Sequence, residues 1–307
     1  MTPGDDYLPI MKNFILNTLL IIIAFSPATL FGKSDEKTAI LMVHFGSTYD
    51  ETRSKTIDAI NRKVSEAFPE ATIVDAFSSR IIIKRLKERG INKSTPQEAL
   101  LKLAADGYEK VIIQGSYLLD GIENQVLQQE ADLMKPFFKE IRLGRPLLYS
   151  VKDCEQIVSI LSEDYLDLIK DKEGIVFVGH GTSTPANATY SQIDYMFSSI
   201  GYKDINVATI EGYPTFENLL VKLKEQKTKK VTLIPFMFVA GDHASNDISN
   251  DWRDNLKENG YDVSVILKGL GENPRIQEMY IDHIREVMEN NISDVKSHKK
   301  KYIKENL

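Results

Sequence analysis

Short apolar runs alternate with longer amphipathic stretches from residue 37 onward. Short runs bounded by polar residues are typical of buried strands, and a 3.6-residue period is typical of helices. Strands that alternate with helices favour βαβ units and therefore an α/β fold with parallel sheets. The predicted strands are residues 38–43, 72–77, 110–114, 174–178, 206–210, 230–238 and 262–267. The predicted helices are residues 49–67, 95–106, 125–139, 153–170, 190–199, 215–224, 247–257 and 275–288.

Two parts of the chain resemble each other in sequence. Our alignment places His44 opposite His180, and the Gly-x-Glu that ends at Glu123 opposite the Gly-x-His that ends at His243. We therefore predict a chelatase-like arrangement of two similar doubly wound halves, whose parallel sheets face one central cleft. Convergence of α/β patterning remains the alternative explanation. The likeness is carried by residues 40–48 with 175–183, and by residues 110–124 with 230–244.

The predicted division of the chain follows from this likeness. Residues 33–150 form the N-terminal α/β half, and residues 151–290 form the C-terminal half, which carries the metal site. Residues 291–307 are a polar, lysine-rich tail.

Residues 1–32 resemble a secretory signal peptide. Lys12 is followed by a nearly continuous apolar stretch at residues 14–25, and Ser26-Pro-Ala28 is a small-x-small cleavage pattern. A membrane anchor is the alternative, but the apolar stretch is shorter than the roughly 20 residues that a spanning helix needs. We therefore expect a periplasmic protein that begins between Thr29 and Lys33, with no stable membrane insertion after cleavage.

Charge argues against nucleic-acid binding, and cysteine content excludes an intramolecular disulfide. The chain carries 38 Lys and Arg against 44 Asp and Glu, a net charge of -6, and this acidic balance disfavours nucleic-acid binding. Cys154 is the single cysteine, so an intramolecular disulfide is excluded. No His or basic cluster flanks Cys154, which favours a structural role over a catalytic one. The sequence leaves the oligomeric state open, a homo-oligomer included.

Two histidines and a glutamate follow predicted strands. His180 and His243 lie among small residues, and Glu211 follows a third strand. A lone histidine in such a place is more often structural, but ligands bind outside the carboxyl ends of parallel strands, so the set indicates a metal site. Two imidazoles and one carboxylate can hold Co²⁺, Fe²⁺, Ni²⁺ or Zn²⁺ and leave coordination positions open. The chain has neither a Gly-x-Ser-x-Gly elbow nor a Walker A lysine pattern, which disfavours a serine hydrolase and a nucleotide cofactor.

The motifs around these residues resemble one family, the sirohydrochlorin cobaltochelatases of CbiK type, which act in anaerobic cobalamin biosynthesis. The likeness extends from about Thr38 to Glu289. It implies the class II chelatase fold, with two similar α/β halves around a tetrapyrrole cleft. Its carriers include Phe45-Gly-Ser-Thr48, Ala76-Phe-Ser-Ser79, Gly179-His-Gly-Thr182, Glu211-Gly-Tyr-Pro214, Val239-Ala-Gly-Asp-His-Ala-Ser-Asn-Asp247 and Gly269-Leu-Gly-Glu-Asn-Pro274.

The resemblance also implies roles for individual residues. His180, Glu211 and His243 take the positions of the family's metal-binding residues, and His180 is also catalytic. Glu123 takes the position of a catalytic acidic residue on the opposite wall. The implied reaction is insertion of Co²⁺, as the metal substrate, into sirohydrochlorin without a nucleotide. Fe²⁺ is a second candidate metal, and Ni²⁺ or Zn²⁺ are further substitutes.

A polyanionic tetrapyrrole requires cations in its binding site. Arg53 and Arg80, together with Lys84 and Arg85, follow predicted strand ends or begin helices, and we expect Arg53 and Arg80 to bind the substrate. The alternative is a solvated helix face.

Three features depart from the family pattern. His44 replaces a small residue, Tyr117 stands where many members have histidine, and family members made in the cytoplasm carry no signal peptide. We consider His44 as an additional metal ligand; the alternative is a hydrogen bond to the loop that follows it. These departures support a rival function, namely a periplasmic binding protein that captures haem, another tetrapyrrole or a metal ion for uptake without turnover.

Overall fold

Two parallel β-sheets of four strands each form the centre of the computed structural model, which describes residues 37–170, 173–241 and 244–289. The strand orders are β2-β1-β3-β4 and β6-β5-β7-β8, so both sheets have the same topology. This confirms the predicted α/β class and its two similar doubly wound halves. The strands are β1 Thr38–His44, β2 Thr72–Phe77, β3 Lys110–Gly115, β4 Glu140–Leu143, β5 Gly174–Gly179, β6 Ile205–Thr209, β7 Lys230–Pro235 and β8 Asp262–Val265.

Helices connect these strands in the right order for βαβ units. A π-helical segment, Ala244–Trp252, precedes α10. The helices are α1 Asp50–Lys55, α2 Ile57–Ala67, α3 Arg80–Glu88, α4 Pro96–Ala105, α5 Ile122–Met134, α6 Val151–Asp164, α7 Leu166–Lys170, α8 Ala188–Ser199, α9 Phe216–Glu225, α10 Arg253–Glu258 and α11 Pro274–Glu289.

The central strand β1 is apolar on both faces because helices cover both. Leu41 and Val43 belong to a buried cluster with Leu100 and Leu127, from α4 and α5. Ile40 lies in a second buried cluster, which also holds residues of α2, α6 and α11. A strand buried on both faces needs a continuous apolar sequence rather than an alternating one, and β1 has it.

The two halves share part of one core. The cluster that contains Ile40 of β1 also contains Ile175 and Phe177 of β5. The other face of β5 packs Val176 and Val178 against residues of α9, the π-helical segment and α10. Apolar side chains of both sheets are therefore buried in one cluster, which holds the two halves together and fixes the position of one sheet relative to the other.

The last helix, α11, packs against β3, β4 and α2 of the first half. Its buried Tyr280 donates to the carbonyl oxygens of Ser116 (3.1 Å) and Tyr117 (3.3 Å), just after β3. His283 Nε2 lies 3.2 Å from Asp153 Oδ1 of α6. Helix α11 thereby stabilises the segment that follows β3. Since this helix belongs to the second half in sequence and packs on the first, the division predicted between residues 150 and 151 stays a prediction.

Two elements were not predicted from the sequence. Strand β4 has four residues at the edge of its sheet, too few for a clear period. Helix α3 begins with Ile81, Ile82 and Ile83, and consecutive β-branched residues favour strands over helices. The one local sign of this helix is Ser79, whose side chain accepts a hydrogen bond from the Ile82 amide (3.4 Å) as an N-cap.

The predicted signal peptide at residues 1–32 and the predicted tail at residues 291–307 lie outside the described residues. Among the helices that the structure describes, none is long and apolar enough to span a bilayer.

Candidate active site

A cavity of about 780 Å³ lies where the strands of both sheets end. Its lining residues follow the carboxyl ends of β1, β2, β3, β5, β6 and β7, as expected for ligand sites of parallel sheets. From the first half it is lined by Phe45, Ile81, Arg85, Ser116, Tyr117 and Glu123, and from the second half by His180, Thr182, Glu211, Phe238 and Asn246, among others.

His180 and Glu211 are held next to each other by their backbones. The Glu211 amide donates to the His180 carbonyl (2.8 Å), and the Ile210 amide donates to the Gly179 carbonyl (3.0 Å). These bonds continue the pairing of β5 with β6 beyond both strands. Two residues far apart in the sequence thus deliver an imidazole and a carboxylate to one edge of the cavity.

Gly181 permits this close approach. Its φ of +93° is in the region that favours glycine, and a Cβ there would lie 2.6 Å from the Gly212 nitrogen. Asn187 joins the two loops as well, because its Oδ1 accepts from the Thr182 amide (3.1 Å) and its Nδ2 donates to the Tyr213 carbonyl (2.8 Å). The arrangement of His180 beside Glu211 therefore depends on a small residue at position 181.

The tautomer of His180 follows from its hydrogen bond. Nδ1 lies 3.3 Å from the Gly181 carbonyl oxygen, which can only accept. In the neutral ring, this contact assigns the proton to Nδ1 and leaves the lone pair on Nε2. A neutral imidazole in this form can bind a divalent metal ion or accept a proton through Nε2.

Glu123 lies on the opposite wall, in the first turn of α5. It is exposed to the cavity and accepts a hydrogen bond from Ser78 Oγ (3.4 Å). The walls meet close by, since a Cβ on Gly121 would lie 3.3 Å from Thr182 Oγ1. The structure thus brings Glu123, His180 and Glu211 to one cavity.

The predicted third metal ligand, His243, lies outside the described residues. Within the described ranges, no three His, Cys, Asp or Glu side chains are grouped so that they could hold a metal ion. The predicted ligand set of His180, Glu211 and His243 therefore stays a prediction, of which the structure places His180 and Glu211 at the cavity.

The two arginines expected to bind substrate are not among the residues that line the cavity. Arg53 is buried and donates to the Ser47 carbonyl (3.1 Å) and to Asp50 Oδ1 (2.6 Å). It therefore holds the loop after β1, which forms part of the cavity wall. Arg80 is exposed at the first position of α3, one residue before the lining residue Ile81.

The hypothesis that His44 is a metal ligand is wrong. Its ring is fully buried, Nδ1 lies 2.9 Å from Ser116 Oγ, and Nε2 lies 3.1 Å from Asn61 Oδ1. Burial lowers the pKa of His44 to about 4, so the ring is neutral at physiological pH. Its partners also differ from the loop hydrogen bond considered as the alternative, because Ser116 follows β3 and Asn61 belongs to α2.

His44 was paired with His180 although the matched ranges, residues 40–48 and 175–183, set His44 against Gly179, and this one-residue error explains the failure. Gly46 and Gly181 both have positive φ, +105° and +93°, directly after the first loop residue of each half. Phe45 is therefore the counterpart of His180, and His44 that of Gly179. A shift of one residue along a strand sends the side chain to the opposite face, here into the core.

Sequence reasoning missed the contribution of α3 to the cavity, which the Ser79 cap could have indicated. It also gave no role to Tyr117 beyond noting it as a departure. Tyr117 is 8% exposed, and among the described residues its buried hydroxyl has no hydrogen-bond partner of acceptable geometry. Burial, together with the nearby Glu123 carboxylate, raises the pKa of Tyr117 above its usual range.

Solved structures of chelatases share this fold. SirB from Bacillus subtilis in complex with Fe³⁺ aligns with a TM-score of 0.59 at 16% identity, covering 82% of this chain and 95% of that one. SirB in complex with cobalt aligns with a TM-score of 0.58 at 17% identity, covering 83% and 96%.

Sequence comparisons give closer relatives. The sirohydrochlorin cobaltochelatase of Salmonella typhimurium is 36% identical over 257 residues, which is 82% of this chain and 97% of that protein. The sirohydrochlorin cobaltochelatase CbiKC of Nitratidesulfovibrio vulgaris is 27% identical over 254 residues, covering 81% and 89%. The family model described as cobalt chelatase (CbiK) matches residues 38–289, and the chain therefore belongs to that family.

Proposed function

We propose that the protein inserts Co²⁺ into sirohydrochlorin without a nucleotide. The observation that carries this proposal is the placement of His180 beside Glu211, facing Glu123 across one cavity. Relatives named sirohydrochlorin cobaltochelatase support it, since they match more than four fifths of the chain.

Metal insertion has two chemical requirements, and the site contains groups suited to each. The ion must lose part of its water shell, and the macrocycle must lose two pyrrole N–H protons as its nitrogens bind the metal. His180 Nε2 and the Glu211 carboxylate replace water on the incoming Co²⁺, and His243 completes this set. Glu123 accepts a proton released on the far wall, and the imidazole, once the ion has left it, accepts the other.

The size and walls of the cavity fit a large flat ligand. Its volume of about 780 Å³ is in the upper part of the usual range for ligand sites, roughly 300–1,000 Å³. Phe45, Ile122 and Phe238 supply apolar surface, while the metal ligands lie at one edge. A conjugated macrocycle can therefore pack its faces on apolar side chains while its nitrogens meet the ion.

The cellular setting is a second part of the proposal. We propose that residues 1–32 direct export and are removed, so that the chelatase acts in the periplasm. Fe²⁺ is a second candidate metal, with Ni²⁺ and Zn²⁺ as substitutes. Amino-terminal sequencing of periplasmic material should find a start between Thr29 and Lys33, and a membrane-bound chain that retains residues 14–25 would contradict export.

A turnover assay separates the chelatase from the rival binding protein. Purified protein is mixed with excess sirohydrochlorin and Co²⁺, and formation of the cobalt complex is followed by absorbance with and without nucleotide. We expect many product molecules per protein molecule and no effect of nucleotide. His180→Ala should lose most of this activity, since it removes one metal ligand. A spectral change that stops at one equivalent would refute the enzyme and support the binding protein.

A further inference from the structure

Helix α3 forms one wall of the cavity. Ile81, Ile82 and Arg85 all line it. Ile81 and Arg85 are four positions apart, so their side chains lie on the same face of the helix. The Ser79 cap fixes the first turn, from which Ile81 projects. One helical face thus presents an apolar group and a cation to the same ligand space.

Ile81 is one of three large apolar side chains at the cavity that remain exposed to solvent. It is 67% exposed, and Ile122 and Phe45 are 52% and 43% exposed. They come from three separate elements, namely α3, α5 and the loop after β1. Their exposure is therefore a property of the cavity and not of one element. Clustered exposed apolar side chains next to a concave site indicate a surface that is covered by a bound ligand.

Arg85 is the single lysine or arginine among the described residues that line the cavity. It also borders a smaller depression next to Thr48 and Arg89, so it lies at the edge between the cavity and the outer surface. A macrocycle bound in the cavity would bring a peripheral group to this edge. A guanidinium there can donate two parallel hydrogen bonds to a carboxylate.

We propose that α3 sets the orientation of the tetrapyrrole. Ile81 packs on the face of the macrocycle, and Arg85 binds one of its peripheral carboxylates. The inference rests on the proposed function, because it names the tetrapyrrole as the ligand of this cavity. Of the cations that the sequence had suggested for the tetrapyrrole site, it assigns this role to Arg85 and not to Arg53 or Arg80. The site then favours a planar ligand that carries an acidic group at this edge.

Binding of metal-free sirohydrochlorin to the full chain, followed by absorbance titration, tests this inference without turnover. Arg85→Gln should raise the dissociation constant at least about tenfold, which corresponds to about 1.4 kcal/mol, because it removes a charge-assisted hydrogen bond to the ligand. Arg85→Lys should recover part of the affinity. Lys87→Gln is the matched control, because it removes the same charge from an exposed position of α3 that does not line the cavity, and it should leave binding unchanged.

The apolar contact has its own control. Ile81→Ala should weaken binding several-fold, whereas Leu133→Ala, at an equally exposed apolar position (68%) away from the cavity, should not. Steady-state assays should show a raised KM and a nearly unchanged kcat for Arg85→Gln, with Co²⁺ binding to the protein alone unaffected.

Two failures are distinguishable. If Arg85→Gln binds metal-free sirohydrochlorin as tightly as the parent protein, or if Lys87→Gln weakens binding equally, the role of α3 is refuted while the proposed function stands. If the parent protein binds sirohydrochlorin in an Arg85-dependent way but never inserts Co²⁺, the chelatase is refuted while the role of α3 stands. Failure of the parent protein to bind sirohydrochlorin overturns both.

Discussion

Gly181→Ala should separate His180 from Glu211. An alanine at φ +93° pays for a left-handed backbone, which costs about 1–2 kcal/mol. Its Cβ would also lie 2.6 Å from the Gly212 nitrogen and 2.8 Å from the Glu211 carbonyl carbon. Both contacts are with backbone, which cannot rotate away as a side chain can. The loop must therefore shift, and the Glu211 to His180 hydrogen bond is strained or lost at a further cost of about 0.5–1.5 kcal/mol.

Gly201→Ala is the matched control. Gly201 has a φ of +101°, and a Cβ there would have nothing within 4 Å. It shares the backbone penalty of Gly181 and lacks the steric one. We expect a loss of about 1–2 kcal/mol in the free energy of unfolding for Gly201→Ala and about 1.5–3.5 kcal/mol for Gly181→Ala.

Urea unfolding measures this difference, with the fluorescence of the single tryptophan, Trp252, as the probe. Trp252 is 7% exposed and belongs to the second half, so unfolding changes its environment. Cobalt insertion should fall at least tenfold in Gly181→Ala and stay near the parent rate in Gly201→Ala. Equal stability losses in the two variants, or full activity in Gly181→Ala, would refute the close approach of the two loops as the basis of the site.

Three further predictions concern buried groups. Burial lowers the pKa of His44 to about 4 in the folded protein, so between pH 6.5 and 4 the unfolded chain binds a proton that the folded chain does not. The free energy of unfolding should therefore fall by up to about 3 kcal/mol as the pH drops through that range. In His44→Asn the urea midpoint should lose this dependence on pH, and an unchanged dependence would contradict the assignment. Tyr117→Phe removes a buried hydroxyl that has no hydrogen-bond partner of acceptable geometry among the described residues, and an unsatisfied buried polar group costs about 1–3 kcal/mol. The free energy of unfolding should therefore stay the same or rise, and a loss above about 0.5 kcal/mol would reveal a real partner. Cys154 is 2% exposed, and burial raises its pKa to about 11, so Ellman's reagent should react with it only after unfolding in urea, and rapid reaction of the native protein would contradict its burial.

Periodicity predicted most of the fold because most elements bury a long apolar face. The strands around β1 and β5 are continuous apolar runs, which is the pattern of a parallel sheet covered on both sides. Strand β4 and helix α3 were not predicted because they lie at the edge of a sheet, where tertiary packing stabilises an element that shows no clear hydrophobic period in the sequence. The omission of α3 mattered most, since this helix carries Ile81 and Arg85 into the cavity.

The candidate site was partly predictable for a different reason. His180 and Glu211 follow strands whose carboxyl ends must meet at one edge, so strand order alone brings them together. Arg53 could not be assigned in the same way, because a helix-start position does not tell whether a long side chain turns to the cavity or back to its own loop. The prediction for His44 failed because it was paired with His180 and not with Gly179, which the matched ranges set opposite it; the positive φ of Gly46 and of Gly181 confirms that pairing.

The most direct test of the proposed metal site is to locate Co²⁺ in crystals of the protein by anomalous scattering at the cobalt edge. If His180 and Glu211 bind the substrate metal, a cobalt peak should lie about 2.1 Å from His180 Nε2 and within bonding distance of a Glu211 carboxylate oxygen, inside the cavity that Glu123 faces. The peak should disappear in His180→Ala crystals. Cobalt bound elsewhere, or bound at the same place without His180, would contradict the proposed site.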